Sequence, residues 1–395
     1  MKNGTYMHIS AEDMESYRDL ARQFCKKSLQ PLFEGEYSDG NLSLLPEKIE
    51  TAFKIGLAAS PEPSMPGNCY GIWGASVDEE GMKSSLHLLS IIAETCGGVA
   101  MSLHAQGVAS NLVMQKGAEP VPVPVPVRVG LCLQEGFTPP YLGTILTPDR
   151  DVPARVMVTA DKTANGYLIN GHKSFVYSMH DVDTYVVFVR FGETWACFLV
   201  PSRSAGVSRN DAGVRTGLRA CSLGHVDFRN VEVPRDARID DGNALALMAR
   251  ALCMNWAGMA AIAVGIARGA AAAARIYAAQ RYQGGAQIEE HPAVKALIAG
   301  SEASIGAAES VVLSLSDCND FSLRTLGKAA SVKLAATDLC ARAVTDTLQT
   351  FGGYGYMEDF GMEKRLRDVT VLKSAAGSPL YLKQLIFDVE KEAAI

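Results

Sequence analysis

Apolar side chains recur every three or four positions near the start of the chain, a spacing typical of helices that bury one face. The first such run follows Ser10, a good N-cap, and is expected to end at Pro31 because proline disrupts a continuing helix. The apolar positions of this predicted helix are Met14, Tyr17, Leu20, Ala21 and Phe24. The helix should therefore pack against the rest of the protein along one stripe.

Three more helices are predicted before residue 120. One begins at Pro46, one runs from about residue 82 to the Gly97-Gly98 pair, and one covers about 101–114. Proline at the first position and glycine at the end are ordinary helix boundaries. Residues 1–120 are thus predicted to form an N-terminal helical domain.

The pattern changes after residue 120. Residues 121–127 alternate valine with proline, which excludes a helix and favours extended backbone. Later segments alternate apolar and polar positions with a period of two, and Asn165-Gly166 and Asn170-Gly171 are turn dipeptides among them. The predicted strands cover 128–134, 154–160, 166–171, 183–189, 194–200 and 225–234. We predict an antiparallel β barrel or sandwich over 121–236.

Long helical patterns return from residue 237 onward. The helices are predicted to begin near Asn243, at Pro292 and near Ser322, and they are rich in alanine. Small residues on facing helices favour a tightly packed four-helix bundle over 237–395. Close-packing points are expected at Gly258, Gly265 and Gly269. The predicted fold class is therefore α+β, with a helical, a β and a second helical domain in that order.

Composition narrows the functional class. The 395-residue chain has a net charge of −6 and a pI near 5.7, which argue against nucleic-acid binding. Nine cysteines never form a CxxC pair, so we expect no metal site and a cytoplasmic location. Residues 1–19 lack the apolar core of a signal peptide. The apolar stretch 251–267 is expected to be a buried core helix, since it is too short to cross a bilayer.

The most specific motifs lie near the C-terminus. Gln349 precedes Gly352-Gly353, and the later pair Arg367-Asp368 is followed, nine residues past the arginine, by a turn of small residues at 375–378. Further upstream, residues 170–178 are NGHKSFVYS and residues 217–234 are GLRACSLGHVDFRNVEVP. The order and spacing of these segments closely resemble the acyl-CoA dehydrogenase flavoprotein family, over nearly the whole chain.

This resemblance implies an FAD enzyme in which a glutamate at the small-residue turn removes the α-proton of an acyl-CoA thioester. That position is Ala376 here. Some members of the family place the base on the long bundle helix, where this chain has Asn255, and follow it with a substrate-contacting arginine, where it has Trp256. The cofactor and thioester loop after Glu135 is also rebuilt, as GFTPP over 136–140. The catalytic residue is therefore left unknown.

The remaining site residues are also carried over from the resemblance. Arg281 stands where an arginine reaches the FAD pyrophosphate of a neighbouring subunit, and a planar guanidinium suits phosphate. Phe175 keeps an aromatic platform beside the flavin, and Ser378 keeps a hydroxyl. The expected FAD-binding residues are Gln134, Phe175, Tyr177, Arg281, His291, Gln349, Thr350, Gly352, Gly353 and Ser378. The expected substrate-binding residues are Asn255, Trp256 and Gly377.

Four titratable residues could replace the missing base, although a structural role is simpler for each. They are His104, Glu135, His180 and Asp368. Asp368 in particular is expected to pair with a nearby arginine, Arg365 or Arg367. General-base catalysis typically contributes about a hundredfold to ten-thousandfold, so ordinary dehydrogenation should be slow unless one of these residues acts.

Three hypotheses follow. In the first, an FAD enzyme acts on an acyl-CoA or carrier-bound acyl thioester by chemistry without the glutamate, such as desulfination or oxygenation. In the second, ordinary acyl-CoA dehydrogenation uses a relocated base and passes electrons to electron-transferring flavoprotein. In the third, the chain is a catalytically degenerate subunit of a hetero-oligomer. The resemblance also implies a homotetramer or homodimer, with neither nucleic-acid nor membrane partners.

Overall fold

The computed structural model describes residues 11–33, 42–61, 70–115, 128–135, 158–180 and 182–393. Within them helices are followed by a sheet and then by long helices, which confirms the predicted α+β class. Ser10, the extended segment 121–127 and the loop 136–140 lie outside the described residues. The predicted domain limits at 120 and 236 stay a prediction.

The described elements have the following bounds. The helices are α1 (Ala11–Phe24), α2 (Gln30–Phe33), α3 (Leu45–Lys54), α4 (Val77–Glu80), α5 (Lys83–Thr95), α6 (Gly97–Met114), α7 (Ala244–Gln280), α8 (Pro292–Leu313), α9 (Leu323–Thr350), α10 (Met362–Ser374) and α11 (Pro379–Ala393). The strands are β1 (Val129–Cys132), β2 (Thr159–Lys162), β3 (Gly166–Tyr177), β4 (Thr184–Phe191), β5 (Thr194–Pro201), β6 (Val207–Asp211), β7 (Leu223–Pro234), β8 (Tyr282–Gln283) and β9 (Ala286–Gln287).

The first helix does not end at Pro31, so that prediction is wrong. α1 passes into a π-helical turn, Cys25–Leu29, and α2 then carries Pro31. The Gln30 N–H donates to the Cys25 carbonyl, five residues back, so the turn is wider than in an α-helix. The wider turn gives the proline ring room beside the preceding carbonyls.

One seven-stranded sheet forms the middle of the chain, in the order β1-β4-β2-β3-β7-β6, with β5 paired to β4. The sheet is mixed rather than purely antiparallel as predicted, because β1 runs parallel to β4 and pairs Val129 with Thr184. These two strands are far apart in sequence, so no hairpin fixes their relative direction. β6 was not predicted because its side chains are largely exposed and polar.

α7 is the centre of the C-terminal bundle and packs against α5, α6 and α9. Its start is fixed by Asn243, whose Oδ1 accepts the Ala246 N–H, and α9 is capped in the same way by Ser322. Two described helices, α7 and α8, are long and apolar enough to span a membrane, but 78% of the α7 window is buried inside the fold. Residues 251–267 are therefore a core helix, as predicted.

Glycines allow α7 to approach its neighbours closely. A Cβ at Gly265 would overlap the Ser90 carbonyl oxygen of α5, and a Cβ at Gly269 would overlap the Glu94 carbonyl. Gly258 has the same role towards the imidazole of His104 on α6. The predicted close-packing points are thus confirmed. Gly258 brings α6 and α7 together beside a cleft.

Substituting Gly265 with alanine should lower the free energy of unfolding by about 1–3 kcal/mol, because the backbone carbonyl of Ser90 cannot move without shifting α5. The matched control is Gly300→Ala on α8, where an added Cβ meets nothing within 4 Å. That change should be neutral or stabilise by up to about 1 kcal/mol through helix propensity. Urea denaturation of both variants measures the difference, and equal effects would contradict the close approach.

Candidate active site

A cleft lies where α6, α7, β1 and β3 meet the turn after α10. Five of its described lining residues belong to the predicted set, namely Gln134, Phe175, Tyr177, Asn255 and Ala376. The other five are apolar residues that were not predicted, namely Met101, Ala105, Leu131, Leu133 and Leu252. The structure therefore brings together the two positions at which the resemblance expects a base, Ala376 and Asn255, and the two residues expected beside the flavin.

The turn that carries Ala376 is held from behind by two donors. The Trp256 indole N–H donates to the Ala376 carbonyl at 2.8 Å. The Lys333 Nζ donates to the carbonyls of Ala375 and Gly377, the second at 2.8 Å. Ala376 itself has φ of 50°, a left-handed conformation that costs energy outside glycine. The turn thus has a fixed shape that the surrounding side chains maintain.

Trp256 does not have the substrate-contacting position expected for it. Its side chain is fully buried and is absent from the described lining of the cleft. The indole donates to the Ala376 carbonyl and so stabilises the turn. The arginine that the family resemblance implies at this position would instead contact a ligand. We therefore assign Trp256 to the support of the turn. Gly377, also expected to contact substrate, contributes its carbonyl to Lys333.

Asn255 lines the cleft one residue earlier on α7, and a buried histidine holds its side chain. His104 Nε2 lies 2.9 Å from Asn255 Oδ1, and His104 Nδ1 accepts the Trp73 indole N–H at 2.9 Å. Burial lowers the pKa of His104 to about 4. A neutral imidazole in this position is occupied by hydrogen bonds at both nitrogens, so it does not replace the base.

Glu135 is fixed in a buried ion pair. Its Oε1 lies 2.5 Å from Lys173 Nζ, and both side chains are almost wholly inaccessible. Burial lowers the pKa of Lys173, and the neighbouring carboxylate opposes that shift. A carboxylate that compensates a buried ammonium is committed to the fold, so Glu135 serves the structure.

Asp368 and His180 also have other partners. Asp368 accepts the Leu218 N–H at 2.6 Å and pairs with Lys364 at 2.5 Å, whereas Arg367 pairs with Glu363. The direct partner of Asp368 is therefore Lys364 rather than an arginine, because residues four apart on α10 face each other, while the Asp368 charge also acts on the nearby Arg365. His180 is about half exposed and faces Asp211 at 3.8 Å. Neither residue is among the described residues that line the cleft.

The residues expected at the FAD pyrophosphate and adenine lie near the end of α7. The Arg281 guanidinium stands over the Tyr354 ring at 5.4 Å, and its Nε is buried with no hydrogen-bond partner among the described residues. His291 contacts the Gln283 carbonyl at 2.8 Å and so steadies the β8–β9 hairpin. Gln349, Gly352 and Gly353 are exposed, and a Cβ at either glycine would meet nothing.

Phe175, Tyr177 and Ser378 lie on the flavin side of the predicted site. Phe175 has φ of 54°, which turns its ring out of the regular strand, and it lines the cleft together with Tyr177. Burial raises the pKa of the Tyr177 phenol, so the group stays protonated. Ser378 Oγ accepts the Tyr381 N–H and caps α11. Its hydroxyl proton remains available for a ligand.

Lys333, which was not among the predicted site residues, is the main support of the turn. The residue is fully buried on α9, and burial lowers its pKa to about 7. The available signal was a lysine next to Val332 and Ala336, within the apolar face of an otherwise regular helix. A charged residue at such a position needs a buried partner.

Replacing Glu135 with glutamine should destabilise the protein by about 3–5 kcal/mol, because it removes the charge that compensates the buried Lys173 ammonium. The matched control is Glu290→Gln, whose Lys295 partner and own side chain are both about 60% exposed, and which should cost less than about 1 kcal/mol. Chemical denaturation checks both values. If Glu135→Gln left the stability unchanged, Glu135 would not be needed to compensate Lys173 and would be available for another role.

Lys333 should make stability depend on pH. Its pKa of about 7 in the folded protein lies below the unfolded value near 10.4, so the unfolded chain binds the extra proton between these values. The free energy of unfolding should therefore rise with pH in this window, by up to about 1.4 kcal/mol per unit. Lys333→Met should remove this slope, while the exposed Lys295→Met should retain it. Thermal unfolding at pH 6–9 tests the difference, and equal slopes would refute the assignment.

Comparison with known proteins identifies the family. Residues 149–231 match the family described as acyl-CoA dehydrogenase, middle domain, and residues 257–377 match acyl-CoA dehydrogenase, C-terminal domain. Cyclohexane-1-carbonyl-CoA dehydrogenase of Syntrophus aciditrophicus is 26% identical over 94% of this chain and 95% of its own. The caffeyl-CoA reductase–Etf complex subunit CarC of Acetobacterium woodii is 26% identical over 56% and 60%.

The fold agrees with the two family matches. A glutaryl-CoA dehydrogenase from Mycobacterium smegmatis, solved in complex with FADH2, superposes with a TM-score of 0.79 at 16% identity and covers 98% of this chain and 96% of its own. The two matched regions together span just over half of the 395 residues. The chain therefore belongs to the FAD-binding acyl-CoA dehydrogenase family.

Proposed function

We propose that this chain is an FAD-dependent enzyme that acts on an acyl thioester by chemistry that does not use the family's glutamate base. The composition of the cleft carries the proposal. Ala376 and Asn255 occupy both base positions, and none of the described lining residues is a carboxylate or an imidazole. Tyr177 is the one titratable group among them, and burial raises its pKa. No described side chain of this wall accepts a proton near neutral pH.

The residues present fit FAD. The Arg281 guanidinium, whose buried Nε lacks a partner among the described residues, would take the pyrophosphate of the FAD bound to a neighbouring subunit, and the open backbone at Gly352 and Gly353 would lie against the adenine half of that same FAD. Phe175 would cover the flavin ring, and Ser378 would donate its hydroxyl proton to the flavin edge. Bound FAD supplies the electron acceptor that the amino acids of this chain lack.

The chain's own residues would bind and orient the thioester in a dry site. Leucine, methionine and alanine side chains form most of the described cleft wall, so water is excluded from the reacting carbons. The Trp256 and Lys333 hydrogen bonds fix the Ala376 turn against that wall. Without a carboxylate, the cleft suits reactions in which no side chain removes the α-proton, such as loss of a β-substituent or an oxygen-using reaction.

Each of the four candidate bases already interacts with another protein group, which argues against ordinary dehydrogenation with a relocated base. If such dehydrogenation occurs, electron-transferring flavoprotein is the proposed acceptor, as the Etf-complex relative suggests. We further propose a cytoplasmic homo-oligomer, either a dimer or a tetramer. Its support is the exposed aromatic surface beside Arg281, where Tyr282, Tyr354 and Tyr356 are 63%, 46% and 84% exposed.

Restoring the carboxylate tests the proposal. With FAD bound, Ala376→Glu should reduce the flavin with butyryl-CoA at least about a hundredfold faster than the unaltered protein does, because the variant regains a base beside the thioester. Ala376→Gln has the same size but cannot take the proton, so it should stay slow. Anaerobic flavin spectra during titration provide the measurement.

Two other outcomes would overturn the proposal. Rapid bleaching of the flavin in the unaltered protein by butyryl-CoA would show that a relocated base exists. A colourless protein that takes up no added FAD would favour the degenerate subunit of a hetero-oligomer. A spectrum that shifts without bleaching agrees with an altered reaction on a bound thioester.

A further inference from the structure

A chain of buried hydrogen bonds fixes the direction in which the Asn255 amide points. The Trp73 indole nitrogen can only donate, so His104 Nδ1 must accept from it. The proton of the neutral imidazole is then on Nε2, and it donates to Asn255 Oδ1 at 2.9 Å. Oxygen and nitrogen of the amide are thereby distinguished, and the Nδ2 amino group is left as the free end of the Asn255 side chain.

The fold provides space and anchors for this chain. A Cβ at Gly258, one turn after Asn255, would overlap the His104 ring, so glycine makes room for the imidazole. Trp73 has φ of 62°, and this strained conformation is held on both sides. Its N–H donates to Ser85 Oγ at 2.8 Å, and its carbonyl accepts from Asn111 Nδ2 at 2.9 Å. A buried polar network with this many fixed members specifies one arrangement.

The amide of Asn255 faces a cleft whose described lining offers its amino group few hydrogen-bond acceptors. The described lining is otherwise apolar apart from Gln134 and Tyr177, and it contains no charged side chain. With its oxygen engaged by His104, the amide has its amino group left to donate to an oxygen of a ligand bound in the cleft. An anionic oxygen would lose its hydration with no cation in this wall to compensate it. An uncharged acceptor suits the site best.

We propose that Asn255 selects acyl thioesters whose acyl chain carries an uncharged hydrogen-bond acceptor, such as a hydroxyl or keto oxygen. Asn255 donates to that oxygen, and His104 is a positioning residue that keeps the donor directed at it. This inference rests on the proposed function, since it specifies the acyl thioester bound in the same cleft. Where a carboxylate base at this position would accept a proton, the amide donates a hydrogen bond.

Calorimetric titration of the FAD-loaded protein tests the proposal with three thioesters of equal carbon number. They are pentanoyl-CoA, 3-hydroxypentanoyl-CoA and 4-oxopentanoyl-CoA. At least one oxygen-bearing ligand should bind about tenfold more tightly than pentanoyl-CoA, as expected for one hydrogen bond in a dry site. Asn255→Leu, which keeps the volume and loses the donor, should reduce the preference, a ratio of affinities measured within the same variant, to less than about twofold.

His104→Gln provides the second variant, because a glutamine can fill part of the imidazole site if larger changes prevent folding. It should lower the preference several-fold while pentanoyl-CoA affinity stays the same, a split that general loss of structure would not produce. An unaltered protein with no preference, or a preference retained in Asn255→Leu, would overturn the inference and leave the proposed function standing. Failure of all three thioesters to bind would instead refute the proposed function, and with it this inference.

Discussion

The close approach of α7 to its neighbours is the constraint on which the site depends. This helix is buried for most of its length, and glycines at 258, 265 and 269 let backbone and side chains of α5 and α6 reach it. Because α7 cannot shift without overlap, the side chains it presents have fixed positions. Asn255 then faces the cleft while its neighbour Trp256, about 100° further round the helix, reaches the turn behind it.

The turn at Ala376 shows how the packing fixes a functional surface. Trp256 and Lys333 come from two different helices, and both donate to carbonyls of the same three-residue segment. A backbone held in a left-handed conformation by such contacts keeps its shape whatever side chain it carries. The turn therefore has a fixed shape that presents residue 376 to the cleft, and alanine occupies this position.

Local signals predicted much of the fold, and long-range contacts account for what they missed. The helix starts near Asn243 and Ser322 were predicted, and both residues cap their helices through the N–H three positions later. The parallel pairing of β1 with β4 and the π turn before Pro31 depend on residues distant in sequence or on rare backbone geometry. Within the site, Asn255 and Ala376 line the cleft together, whereas Trp256 lies behind the turn and the direct partner of Asp368 is Lys364.

The residues that differ from those expected of the family change the electrostatics of the cleft in the same direction. Neither position at which the resemblance expects a base carries a proton acceptor, and the described wall offers an amide donor on Asn255 and a protonated phenol on Tyr177. Preorganised donors in a dry cleft stabilise negative charge that develops on a ligand, and they do so without a proton transfer to the protein. Under the proposed function, these donors act on the partial negative charge of an uncharged oxygen of the bound thioester. Under the proposed function, alanine and asparagine at these two positions therefore change which charge the cleft stabilises, and they provide no base.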